Sequence, residues 1–220
     1  ITIRLHLLLV IFFASEMLRF VMRSFSATGL LFYLITYFGM FLAILFHEYG
    51  HCFAARSVGG SADEVTLWPL GGLAHCHAPN TSEAQMKVAV GGPMVSVVCG
   101  LVLGLILLIT GSDLWVDWNA WYFVDDTAGF LISCVRHIFW LNMALLLFNM
   151  LPAFPMDAGR MLQCFLWPRM GFGPATLKAI YVSHVCSVGL VVVGLVSQNF
   201  IFLCIALFNF MTAQQTKMLL

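Results

Sequence analysis

Long, nearly uninterrupted runs of apolar residues are the feature that most constrains how this chain can fold. A helix that crosses a bilayer needs about 20 mostly apolar residues. The 220-residue chain contains six runs on that scale, near residues 3–22, 30–55, 86–109, 130–151, 179–196 and 200–213. The runs are continuous and do not alternate with polar residues, which disfavours a transmembrane β-barrel. The sequence therefore predicts an all-α polytopic membrane protein with about six transmembrane helices.

The composition supports this fold class. Charged residues make up 9% of the chain, against about 25% in an ordinary soluble domain, so too few charges exist to cover a surface in water. Ten basic residues balance ten acidic ones, which argues against a nucleic-acid partner. We expect a single transmembrane domain over residues 1–220 in a lipid bilayer, with the oligomeric state and any regulatory domain beyond residue 220 left open.

The short loops between the runs predict the orientation of the chain. Arg56 directly follows the second run and Lys87 lies at the start of the third, while Arg160, Arg169 and Lys178 lie between the fourth and fifth. Basic residues are typical of cytoplasmic loops. The loop between the third and fourth runs has no basic residue and contains four aspartates, Asp113, Asp117, Asp125 and Asp126. This pattern predicts cytoplasmic termini, in a membrane that we expect to be a prokaryotic cell membrane. The C-terminal end of the second run then lies on the cytoplasmic side.

That end of the second run contains the segment His47-Glu48-Tyr49-Gly50-His51. Ionisable residues inside a span are costly and usually mark function. The segment is an H-E-x-x-H pattern, and residues four apart share one face of a helix, so both imidazoles can reach one zinc ion. The glutamate between them can take a proton from water. The alternative is a hydrogen-bonded polar cluster that holds helices together.

A third ligand is expected from the segment N-M-L-P-A-F-P-M-D-A-G-R, which begins at Asn149. Its two prolines break the helix at the end of the fourth run. Irregular backbone at that depth is tolerated only where it is buried in protein or lines a wet cavity. We therefore predict that Asp157 completes a single zinc site and that a cavity open to the cytoplasm lies near residues 152–159. The alternative for Asp157 is a helix cap or a partner of Arg160.

The region 63–77 is too short, and too often interrupted by glycine and proline, to span a membrane. Alternation up to Leu67 and a turn at Gly71-Gly72 predict a membrane-associated β-hairpin between the second and third helices. Its exposed edge could bind an extended peptide by strand addition, with Leu67, Gly71, Gly72 and Pro152 as predicted binding residues. The alternative is a simple interfacial loop. His75 and His77 are interpreted as interfacial polar residues, with an accessory metal site as the minority interpretation.

These motifs resemble those of the site-2 protease family of intramembrane zinc metalloproteases, in its compact six-span form. The resemblance includes the H-E-x-x-H segment, the proline-rich segment that ends in D-A-G-R, and the Gly-Gly-Pro sequence at 91–93. It implies that His47, His51 and Asp157 hold one zinc ion and that Glu48 is the catalytic acid and base. It also implies that Asn149 lies near the active site, where it positions substrate or stabilises the oxyanion.

The sequence departs from the family pattern at two positions. Ala158 replaces the usual first glycine after the aspartate, and Ser96 stands where the family often has asparagine. Neither departure removes a ligand.

The resemblance implies an intramembrane zinc endopeptidase, active at the cytoplasmic side. Its partners would be single-span membrane proteins, cut in or near their transmembrane segments as in regulated intramembrane proteolysis. A multi-span metal transporter and a catalytically silent relative that binds membrane proteins are the alternatives. A transporter should distribute polar ligands through the membrane depth, often in inverted repeats, whereas this chain concentrates them at one side. The intact set of His47, Glu48, His51 and Asp157 argues against the silent relative.

Overall fold

The structure is a computed structural model that describes residues 1–23, 26–68, 71–115 and 127–220. The aspartates at positions 117, 125 and 126, which helped to predict the orientation, lie outside these residues. The elements follow one another as β1 (Thr2–Leu5), α1 (Leu7–Arg23), α2 (Ala27–Ser57), β2 (Ser61–Trp68), β3 (Gly71–His77), α3 (Ser82–Ile109), α4 (Thr127–Asn149), α5 (Asp157–Met170), α6 (Phe172–Val196) and α7 (Phe200–Met218).

The predicted helical membrane fold is confirmed, because the described residues are mostly helical and form one small sheet, whose strands β2 and β3 lie between α2 and α3. The predicted count of six spans is not confirmed. A helix lies at each of the six apolar runs. Among the described residues, four helices are long and apolar enough to cross a membrane, namely α2, α3, α4 and α6. Helix α1 has 17 residues, and α7 has 19 with Lys217 in its last turn.

Two elements differ from the simple reading of the apolar runs. Residues 3–5, which the first predicted span included, belong to the strand β1, which pairs in parallel with β2. An ion pair of 3.1 Å between Arg4 and Glu64 lies across this pairing. Helix α5 follows the proline-rich segment and carries no run long enough to span a membrane, since it has only 14 residues and mixes polar with apolar side chains.

Side-chain caps determine where the two helices that frame the sheet begin. The Ser26 hydroxyl accepts a hydrogen bond of 2.9 Å from the Gly29 amide at the start of α2. The Thr81 hydroxyl accepts one of 3.3 Å from the Ala84 amide at the start of α3, where Glu83 also lies in the first turn. Such caps satisfy amides that have no partner within the helix, and an acidic residue there complements the helix dipole.

The sheet is anchored through one face of β2. Strands β2 and β3 are antiparallel, with Val65 opposite Ala74 and Leu67 opposite Gly72. Alternate side chains of β2 enter a core that also contains Cys52 of α2 and residues of α1 and α3. The strand order is β1-β2-β3, so β3 lies at an edge of the sheet, and it contacts α2. This packing brings an edge strand to the helix that carries H-E-x-x-H.

Helices α2 and α3 touch at the level of their backbones. A Cβ atom added to Gly50 would lie 2.7 Å from the Gly91 carbonyl carbon, and one added to Gly91 would lie 2.8 Å from the Ala54 Cβ. Small residues allow such close approach between membrane helices. The third turn of α3 is therefore in contact with the turn of α2 that follows Glu48.

Candidate zinc site

Three side chains from two helices converge on one point. His47 and His51 lie one turn apart on α2, and Asp157 is the first residue of α5. The His47 Nε2 atom lies 3.0 Å from Asp157 Oδ2, and the His51 Nε2 atom lies 3.3 Å from Asp157 Oδ1. The two Nε2 atoms are 3.3 Å apart. All three residues are buried, so the structure brings the three predicted ligands together.

This geometry fits a zinc ion. Ligand atoms at about 2.0–2.1 Å from a tetrahedral zinc are separated from one another by about 3.3–3.4 Å, and the observed separations of 3.0–3.3 Å are close to that value. Two imidazoles and one carboxylate form a known donor set of catalytic zinc sites, which keep a fourth position open. Burying such groups without a partner would be costly, and an ion between them removes that cost.

The Nδ1 atom of each imidazole, which faces away from Asp157, also has a hydrogen-bond partner. The His51 Nδ1–H group donates to the Val88 carbonyl at 2.7 Å, and the His47 Nδ1 atom lies 2.9 Å from the Ser96 hydroxyl oxygen. Both partners belong to α3. Contacts of this kind select the tautomer and orient the ring of a metal-binding histidine. They leave the two Nε2 atoms directed towards Asp157.

Gly92 provides the space in which the two imidazoles meet. A Cβ atom at this position would overlap His51 Nε2 and would lie 2.7 Å from His47 Nε2. The Gly-Gly-Pro sequence at 91–93 therefore does more than allow helices to pack, since its second glycine touches both ligands. The sequence motif indicated the position but not this contact.

Glu48 lies against the edge strand. Its Oε2 atom accepts a hydrogen bond of 2.9 Å from the Ala74 amide of β3. A Cβ atom on Gly72 would lie 2.7 Å from the Glu48 carboxyl carbon, so the glycine makes room for the carboxylate. Ligand atoms of Glu48, His47 and His51 all lie within 4.8 Å of one another. The carboxylate is thus beside the ion position and is restrained by the strand.

The packing of the segment before Asp157 accounts for the glycine of the D-A-G-R sequence. The Phe154 amide donates to the Ser183 hydroxyl of α6 at 3.1 Å, which ties the irregular residues to a neighbouring helix. A Cβ atom on Gly159 would lie 2.7 Å from the Ala153 carbonyl carbon, so this glycine is required for the chain to fold back on itself. Ala158 lies in the first turn of α5 and keeps helical backbone. The replacement of the first glycine is therefore compatible with the site.

A cavity of about 330 Å³ opens at the three ligands and Glu48. Gly71 to Ala74 of β3 form one part of its wall, and Asn149, the last residue of α4, forms another. Helix α7 contributes one helical face made of Ile205, Phe208, Thr212 and Gln215. The cavity is thus bounded by the edge strand, by the end of α4 and by α7.

Comparisons with known proteins agree with this geometry. The model of Peptidase family M50 matches residues 35–127. A solved structure of the "Site-2 Protease from Methanocaldococcus jannaschii" superposes with a TM-score of 0.68 at 26% identity, over 98% of this chain and 90% of that one. This chain belongs to the site-2 protease family.

Two curated members of the family illustrate how far the similarity extends. "Zinc metalloprotease MJ0392" of Methanocaldococcus jannaschii is 27% identical over 215 residues, or 98% of this chain and 57% of that protein. "Putative zinc metalloprotease Rip3" of Mycobacterium tuberculosis is 31% identical over 155 residues, or 70% of this chain and 36% of that protein. The chain spans about half or less of the length of these relatives. Their names and the His47-Glu48-His51 group support zinc as the cofactor.

The remaining predicted residues have different positions. Gly71, Gly72 and Asn149 line the cavity, and the Asn149 amide donates to the Leu145 carbonyl at 3.0 Å. The Leu67 side chain is only 3% exposed and belongs to the hydrophobic core. Pro152 lies on the segment between α4 and α5 and, like Leu67, is not among the described residues that line the cavity.

His75 and His77 both have exposed side chains on β3, and His75 Nε2 lies 3.4 Å from the Thr66 hydroxyl. Within the described parts of the chain, the one group of histidine, cysteine or acidic residues that could hold a metal is the His47-Glu48-His51 group. This favours the interpretation of His75 and His77 as interfacial polar residues.

Proposed function

We propose that this protein is an intramembrane zinc endopeptidase that hydrolyses peptide bonds in or near the transmembrane segments of single-span membrane proteins. The observation that carries the proposal is the convergence of His47, His51 and Asp157 in the lining of one cavity, with the Glu48 carboxylate beside them. Membership in a family whose named relatives are zinc metalloproteases supports it.

The chemistry is divided between the ligands and one acid–base residue. His47, His51 and Asp157 would hold zinc, which when bound supplies a Lewis acid that polarises a carbonyl and acidifies water. Glu48 takes one proton from the attacking water as the water oxygen bonds to the carbonyl carbon. Glu48 then gives that proton to the leaving nitrogen as the carbon–nitrogen bond breaks. The Ala74 amide holds the carboxylate for this role at 2.9 Å.

The substrate must be extended before it can react. A transmembrane helix uses its carbonyls in its own hydrogen bonds, which hides them from attack. We place the unwound segment along the free edge of β3, where strand addition supplies main-chain hydrogen bonds. Gly71 and Gly72 line the cavity there and offer a path without side chains. The side-chain amide of Asn149, which also lines the cavity, would contact the substrate carbonyl or its flanking peptide.

The membrane orientation and the biological use of the activity are part of the proposal. Basic residues at the end of α2 and near the start of α3, Arg56 and Lys87, and in α5, Arg160 and Arg169, support a cytoplasmic position for the site. An endopeptidase at that depth would release a cytoplasmic domain or remove a residual membrane anchor, as in regulated intramembrane proteolysis. We propose that residues 1–220 act as one transmembrane unit.

A metal transporter fits these observations less well. A translocation path needs ligands at several depths, whereas the ligands found here meet at one point. A catalytically silent relative would have no use for a carboxylate that is buried beside two histidines and bonded to an edge strand.

The experiment uses the purified protein in liposomes with a model single-span substrate. We expect one zinc per chain and cleavage near or within the transmembrane segment. Glu48→Gln should retain zinc and lose cleavage, whereas Asp157→Ala should lose both. Glu83→Gln, in the exposed first turn of α3, is the matched control and should behave as the parent protein. Full cleavage by Glu48→Gln would contradict the mechanism, and zinc flux into the liposomes by that variant would favour a transporter.

A further inference from the structure

We infer that Ser96 and Asn142 form a relay that positions His47 for the zinc ion. Neither residue is among the ligands or the acid–base group, and both are only 1% exposed within apolar helices. The inference rests on the proposed function and assigns two positioning residues to its metal site. The relay connects three helices, because His47 belongs to α2, Ser96 to α3 and Asn142 to α4.

The first contact of the relay determines the tautomer of His47. Its Nε2 atom faces Asp157 at 3.0 Å and its Nδ1 atom faces the Ser96 hydroxyl oxygen at 2.9 Å. A neutral imidazole that offers the Nε2 lone pair to a metal carries its hydrogen on Nδ1. The Nδ1–H group therefore donates to the Ser96 oxygen. This bond keeps the ring in the rotation that directs Nε2 at the ion.

The second contact holds Ser96 in place. The Asn142 Nδ2 group donates to the Ser96 backbone carbonyl at 2.8 Å. Asn142 Oδ1 has no hydrogen-bond partner within the described part of the chain. A side-chain amide in an apolar helix is costly. Among the described residues, its Nδ2 group has a hydrogen-bond partner and its Oδ1 atom has none. Its position is better explained by the Ser96 contact than by general packing.

Gly100 allows Asn142 to reach this carbonyl. A Cβ atom on Gly100 would lie 3.3 Å from Asn142 Nδ2 and would overlap the end of Met143. The glycine lies one turn after Ser96 on α3, so the two helices approach closely where the relay crosses between them. Helices α3 and α4 are therefore close together one turn after the residue that contacts His47.

The relay is tested by zinc affinity, measured by competition with a chelator of known affinity. Loss of a group that orients a metal ligand typically weakens binding by about 10–100-fold, and we expect Ser96→Ala to fall in that range. Ser96→Thr keeps the hydroxyl and should restore most of the affinity. Asn142→Leu should weaken zinc binding several-fold, since it loosens Ser96 without removing the hydroxyl, and it decides the question if Ser96→Ala does not fold.

The matched control is Ser187→Ala. Ser187 is also buried in a membrane helix, and its hydroxyl donates to the Ser183 carbonyl at 3.0 Å within α6. Its removal should leave zinc affinity unchanged. In the cobalt-substituted protein, Ser96→Ala should shift the visible ligand-field bands, and Ser187→Ala should not. The inference is overturned if Ser96→Ala binds zinc within twofold of the parent protein, or if Ser187→Ala weakens binding equally. A parent protein that binds no zinc would instead refute the proposed function.

Discussion

Replacing Gly92 by alanine places a methyl group between the two histidines of the zinc site. The new Cβ atom would overlap His51 Nε2 and would lie 2.7 Å from His47 Nε2, whereas ordinary contact begins at 3.4 Å. The His47 nitrogen must then retreat by 3.4 − 2.7 = 0.7 Å, and the His51 nitrogen by more. Zinc–ligand distances tolerate only about 0.2 Å of deviation. We therefore expect Gly92→Ala to lose at least about 100-fold in zinc affinity, or roughly 2.8 kcal/mol.

The same substitution should stabilise the helix while it weakens zinc binding, so the two effects can be measured separately. Alanine favours a helix interior over glycine by about 0.8–1.0 kcal/mol, so α3 itself should not be weakened. Gly104→Ala is the matched control on the same helix, because Phe139 is the one residue in the described part of the chain that its Cβ atom would meet, at 3.4 Å or more. Chelator competition on both purified variants measures the difference, and circular dichroism confirms that both are folded. Parent-like zinc affinity in a folded Gly92→Ala variant would refute the close contact between α3 and the ligands.

Three further outcomes follow from the same contacts. Gly72→Ala should keep zinc and lose at least about tenfold in cleavage rate, because its Cβ atom would lie 2.7 Å from the Glu48 carboxyl carbon. Metal analysis together with a cleavage assay tests this prediction, and loss of zinc would contradict it. Gly159→Ala should lower the zinc content, because its Cβ atom would lie 2.7 Å from the Ala153 carbonyl carbon and would displace the start of α5. A variant with a full zinc content would show that the position of Asp157 does not depend on this turn. Dialysis against a chelator should abolish cleavage, and added zinc should restore it. In the Asp157→Asn variant, added zinc should restore little cleavage. Cleavage that survives complete removal of zinc would argue against a metal-dependent reaction.

Six of the helices could be predicted from the sequence because lipid demands long apolar runs, and a helix of the structure lies at each run, whereas α5 lies between two of them. The convergence of the candidate ligands could be predicted in part, because a four-residue spacing places His47 and His51 on one face of a helix. Asp157 could be predicted because two prolines interrupt the helix before it. In each case, the prediction depends on a local pattern in the sequence and not on how distant helices pack.

Contacts between helices could not be predicted in the same way. The approach of Gly92 to both imidazoles and the bond between Ser96 and His47 depend on how α3 packs against α2, about 40–50 residues away in sequence. Leu67 is a different case. It alternates with Val65, and side chains two apart on a strand share a face, so both enter the core. That alternation already indicated a buried position for Leu67.

Zinc-edge X-ray absorption of the purified protein tests the central claim most directly. We expect one zinc per chain, bound by two imidazole nitrogens and a carboxylate oxygen at about 2.0–2.2 Å. His51→Ala should remove one imidazole from the spectrum or abolish binding, while His75→Ala should leave it unchanged. Sulfur ligands around the metal, or a spectrum that changes with His75→Ala and not with His51→Ala, would place the ion elsewhere and contradict the assignment of the site.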